Sequence, residues 1–148
     1  MKNAPNNYRI VIDTNVFISS IVFGSKPREL IDLIANDVLT LVANDVLTLV
    51  IAQDLLTEIR RIIVAKFPSF LTDFLKVEKL LESDAILIQL GDITVSVSRD
   101  PDDNKFIEAA LIGDCNYLVS GDKDLLDLEK YRGVKIVSVS EFLQLISN

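Results

Sequence analysis

The chain has 148 residues, 49% of them hydrophobic and 25% charged, which is enough apolar material for one compact core and excludes the disordered and collagen-like classes. A net charge of −7, from 15 Lys and Arg against 22 Asp and Glu, argues against a protein that holds nucleic acid on a broad basic surface. Histidine is absent, and neither a GxxxxGKS/T nor a GxGxxG loop occurs, so histidine-based nucleophile and zinc systems and the usual phosphate-cradling loops drop out and carboxylates remain to do chemistry.

Met1 to Arg9 is polar and lacks the apolar stretch of a signal peptide. No apolar run reaches the roughly 18 residues of a membrane span, so a soluble, cytoplasmic, single-domain protein over residues 1–148 is expected. Tyr8 to Ile12 (YRIVI) reads as a short buried strand that stops at a polar turn, Asp13-Thr14-Asn15. Ser25-Lys26-Pro27 predicts the start of a helix with Leu30, Ile31 and Ile34 on one face. The octapeptide ANDVLTLV then stands twice in tandem, at Ala35 to Val42 and Ala43 to Val50, too short and too few for an array of structural repeats. The second copy leads directly into the next helix and is expected to supply a strand at Leu47 to Ile51. The first copy either lengthens the preceding helix by about two turns or adds an edge strand.

Gln53 to Lys66 sets Leu55, Leu56, Ile59, Ile62 and Ile63 on one helical stripe, with Glu58 beside it. Pro68-Ser69 breaks the chain, and Phe70 to Leu81 resumes helical spacing. Ala85 to Leu90 is a candidate strand and Ile93 to Val97 a short extended segment. Asp102-Asp103-Asn104 forms an N-cap cluster for a helix running to about Ile112. Cys115 is the one cysteine; it permits no internal disulfide and fits a reducing compartment. Tyr117 to Val119 is a strand ending at Ser120-Gly121-Asp122, Lys123 to Leu128 a short helix, Val134 to Val139 a last strand and Glu141 to Ile146 a terminal helix. This alternation predicts an α/β fold with a parallel sheet and helices on both faces.

On that outline Asp13 ends the first strand, Asp100 and Asp103 precede a helix and Asp122 ends a later strand, the places where open α/β sheets build their sites. Glu58 lies on a helix that begins at the same edge, so five carboxylates can converge. Close like charges raise one another's pKa values, and a hard divalent cation, Mg²⁺ or Mn²⁺, resolves the conflict while activating water against a phosphodiester. Each acid also has a plainer reading: Asp13 as a turn residue, Asp102 and Asp103 as caps, Glu58 as a solvated helix acid. Asp124 and Asp127 read as solvated acids or caps, with Asp124 a candidate for the outer shell.

Four blocks, IVIDTNVFISS (Ile10 to Ser20), LLTEIRRII (Leu55 to Ile63), RDPDDNKFIEAAL (Arg99 to Leu111) and YLVSGDKDLL (Tyr117 to Leu126), resemble those of the PIN-domain nucleases, in particular the branch of toxins from toxin-antitoxin pairs. The resemblance covers nearly the whole chain and implies a three-layer α/β/α sandwich and a Mg²⁺- or Mn²⁺-dependent ribonuclease acting on single-stranded RNA. It implies Asp13, Glu58, Asp103 and Asp122 as the acidic site, Asp100 as an adjacent metal-binding acid, and Asn15 and Ser120 as polar groups that orient the acids or a bound water. It further implies a small antitoxin protein that blocks the site and a homodimer. Lys26, Arg28, Arg60, Arg61 and Lys66 are candidate phosphate contacts. Where many relatives carry a second acid after Asp103, this chain has Asn104, and the octapeptide duplication falls between the first two acidic blocks.

Two other readings compete. A haloacid-dehalogenase-like phosphatase also begins with a strand ending in Asp, but its general acid two residues later is Asn15 here. A non-catalytic scaffold of the same fold is the other.

Overall fold

Along the first strand, β1 (Tyr8–Ile12), Ile10 and Ile12 join one buried cluster and Val11 joins another, because successive side chains of a strand point to opposite faces. The same alternation in β2 (Leu47–Ala52) sends Leu47, Leu49 and Ile51 to the first cluster and Val50 and Ala52 to the second. These strands belong to a computed structural model that describes residues 8–23 and 47–147. The remaining elements are α1 (Thr14–Val22), α2 (Gln53–Lys66), α3 (Leu71–Asp84), β3 (Ile86–Ile88), α4 (Asn104–Ile112), β4 (Tyr117–Val119), α5 (Lys123–Leu128), β5 (Lys130–Tyr131), β6 (Val134–Val137) and α6 (Val139–Ser147). Short 3-10 turns at Pro68–Phe70 and Pro101–Asp103 precede α3 and α4.

The strands form one six-stranded sheet in the order β3-β2-β1-β4-β6-β5, parallel except for the β5–β6 pair. Side chains of α1, α2, α3 and α6 pack into the first cluster and those of α4 into the second, which makes the fold a three-layer α/β/α sandwich. Gly113, at the end of α4, lies so close to β2 that a Cβ there would stand 2.5 Å from Val50 Cγ1. Among the described residues no helix is long and apolar enough to cross a membrane.

One local expectation is corrected. Asp13-Thr14-Asn15 is no turn: the chain passes from β1 directly into α1, with Asp13 in extended backbone as its N-cap. Thr14, Val16, Phe17, Ile18, Ser20 and Ile21 are all buried, so the polar side of α1 narrows to Asn15 and Ser19 and the broad polar face that marks a surface helix is missing from its sequence. Ile93 to Val97 belongs to no strand; the Glu108 carboxylate accepts the Val95 N–H at 3.0 Å and the Asn104 amide oxygen accepts the Val97 N–H at 3.1 Å instead. The second octapeptide copy ends in β2, as expected. The first copy, the helix expected from Ser25 to Ala35, and Lys26 and Arg28 lie outside the described residues.

Candidate metal centre

The sheet changes direction of growth at β1, which pairs with β2 on one side and β4 on the other, so the C-terminal ends of β1 and β4 open a crevice. Asp13 stands at that point, with its backbone N–H on the Val119 carbonyl at 3.0 Å. One carboxylate oxygen of Asp13 accepts the Val16 N–H at 3.0 Å and the other accepts the Ser120 hydroxyl. The Ser120 oxygen accepts the Asp122 N–H at 3.0 Å, and Asp122 in turn caps α5 by accepting the Asp124 N–H at 2.8 Å. A single hydrogen-bonded run therefore fixes Asp13, Ser120 and Asp122, residues 107 or more positions apart in the chain at its first link.

Asp103 reaches the same place from the other side. Asp100 accepts the Asp102 N–H at 3.0 Å and so caps the 3-10 turn, which leaves Asp103 without a capping bond. Its carboxylate is buried and, among the described residues, accepts the Ser98 hydroxyl alone, at 3.4 Å. Ser98 is itself held by Asn104, whose amide oxygen accepts the Ser98 N–H at 2.9 Å. Asn104 therefore serves as an anchor for the backbone of Val97 and Ser98.

Asp103, Asp122 and Asp124 each present a carboxylate oxygen within 4.8 Å of the others. Burial, then the negative charges of Asp122 and Asp100, push the Asp103 carboxyl up to about 6, against the Ser98 hydrogen bond and with a further push from Asp13. Burial also raises Asp13, opposed by the Ser120 hydroxyl and the backbone N–H groups of Val16 and Asn15, while the Asp122 charge adds to the rise. This donor set is all carboxylate oxygen, which suits a hard divalent cation, and crowding that elevates an acid is the conflict such a cation removes. The residues present fit a divalent metal.

Of the expected site residues, then, Asp13, Asp103, Asp122 and Ser120 come together. Asp124, read from sequence as an outer-shell candidate, is the third acid of this group, two residues after Asp122 in the first turn of α5. Asp100 is exposed and stands outside the three-acid group, acting on Asp103 through its charge. Glu58 is also outside it: its carboxylate accepts the Lys105 ammonium at 2.6 Å, and no sequence pattern links residues on two separate helices in that way. Asn15 is exposed and lines a cleft beside the site.

The cations are similarly redistributed. Arg60, a candidate phosphate contact, is half-exposed and forms a two-pronged ion pair with the buried Glu78 of α3. Arg61 and Lys66 stay exposed on α2. Arg99, which the sequence did not single out, extends over the acids at 3.7 Å from both Asp124 and Asp127.

Residues 9–124 match the PIN domain family. An uncharacterized protein of Methanocaldococcus jannaschii is 29% identical, in an alignment that covers 92% of this chain and 90% of the relative. The chain belongs to the PIN domain family, whose members are generally metal-dependent nucleases.

Proposed function

We propose that the protein is an endoribonuclease that hydrolyses phosphodiester bonds of single-stranded RNA with Mg²⁺ or Mn²⁺. The observation that carries this reading is the group of Asp103, Asp122 and Asp124 oxygens within 4.8 Å of one another, at the switch point of the sheet in a PIN domain. A divalent ion bound there supplies a Lewis acid and an activated water, so no histidine base is needed. Asp103, Asp122 and Asp124 would hold it. Asp13 borders the group, its orientation set by the Val16 N–H and the Ser120 hydroxyl. Glu58 has one oxygen on Lys105 and would bring the other.

The resemblance of the four sequence blocks supports a place as the toxin of a toxin-antitoxin pair, with a small antitoxin that sets a basic side chain among these acids, and a homodimeric assembly. Arg61 and Lys66, exposed on α2, and the half-exposed Arg60 are its phosphate contacts there.

Labelled single-stranded RNA incubated with Mg²⁺, Mn²⁺ or EDTA tests the proposal beside Asp103→Asn and Asp13→Asn. Cleavage that requires metal and falls about 100-fold or more in either variant is expected. Neither cleavage nor a metal-dependent rise in Tm would replace the nuclease with a scaffold of the same fold.

A further inference from the structure

Next to the three acids, between α1 and the start of α6, lies an open cleft of about 500 Å³ floored by the segment after β4. That volume is in the range of small-molecule sites, roughly 300–1,000 Å³, and accommodates a nucleobase with its ribose. Val16 and Val139 give the cleft apolar walls, while Asn15, Ser19 and Ser140 bring neutral polar groups to it. Among the described residues no Lys or Arg lines it, and Asp122 is its one ionised side chain, so what the described lining offers is neutral hydrogen-bonding groups and apolar surface, which suit an uncharged, flat, hydrogen-bonding group. Asp122 belongs both to the cleft and to the three-acid group, which puts an occupant of the cleft directly beside whatever the acids hold.

We propose that this cleft receives the base of the nucleotide adjoining the scissile phosphate, and that Asn15, Ser19 and Ser140 read its edge. The inference rests on the ribonuclease reading and deepens it. The asparagine amide offers a donor and an acceptor and the serine hydroxyls offer either, the groups with which proteins read unstacked RNA bases. Base choice thereby comes from neutral side chains on α1 and α6, separate from the carboxylates that handle the ion.

Fluorescence anisotropy with the RNA pentamers rA5, rC5 and rU5 and an abasic ribose pentamer, in Ca²⁺ to suppress cleavage, tests this. The expected result is a spread of about ten-fold or more in Kd among the sequences, with the abasic strand weakest. Ser140→Tyr, which fills the cleft, should abolish the spread and weaken the tightest pentamer about ten-fold while leaving the Mn²⁺-induced rise in Tm intact. Ser19→Tyr fills it from α1 and replaces Ser140→Tyr should that variant lose cooperative unfolding. Equal affinity for all pentamers, or a spread unchanged in the filled variants, overturns the base pocket and leaves the nuclease standing. No binding of any strand by the unaltered protein overturns both.

Discussion

Glu78 on α3 and Asp103 before α4 are both buried carboxylates, and their surroundings are opposite. Glu78 meets the guanidinium of Arg60 from α2 through both of its oxygens, so its charge is matched where it is taken out of water. Asp103 meets Asp122, Asp100 and Asp13, with one hydroxyl as its partner. The first arrangement joins two helices. The second gives Asp103 no cation partner among the described residues, although Lys105 stands on Glu58 and Arg99 on Asp124 and Asp127. A carboxylate neutralised from within is structural; a crowded one stores repulsion that a cation from solution can relieve.

The largest effect that separates the two regions is metal-linked stability. Mn²⁺ at about 100 times its Kd should stabilise the protein by about 2.7 kcal/mol, read as a rise in Tm, and Asp103→Asn should remove that rise while matching or exceeding the unaltered Tm in EDTA. A metal response that survives in Asp103→Asn breaks the comparison. Glu78→Ala acts the other way. It should cost about 2 kcal/mol in urea unfolding, less than breaking a fully buried pair because Arg60 is half-exposed, and it should leave the metal response unchanged.

The smallest effect is on pH. The Asp103 carboxyl, at about 6 in the fold, lies above the ordinary aspartate value it regains on unfolding. The folded state therefore binds the extra proton, and the stability this contributes is present below about pH 4 and lost as pH rises through about 6. In EDTA, Tm should fall by a few degrees over that window, on the order of 1 kcal/mol after solvent screening, and Asp103→Asn should flatten the fall. An equal fall in the variant assigns the titration to another group.

Most of the element order and the strand-end positions of Asp13 and Asp122 were legible in the chain itself, since strands and amphipathic helices write periods of 2 and 3.6 into neighbouring residues. The helix from Thr14 to Val22 was hidden for the same reason, being buried almost all round. The short strand Lys130–Tyr131, which pairs antiparallel with the last strand, offers too few residues for any period to register. The acids themselves, as residue types at element ends, came from sequence. Which of them meet did not. Asp13 bonds Ser120 across 107 positions and Glu58 bonds Lys105 across 47, and such pairings depend on strand order and helix placement rather than on local spacing. Tertiary structure alone seated Asp124 beside Asp103, turned Arg60 to Glu78 and gave Asn104 to the backbone, because side-chain partners are selected by packing in three dimensions.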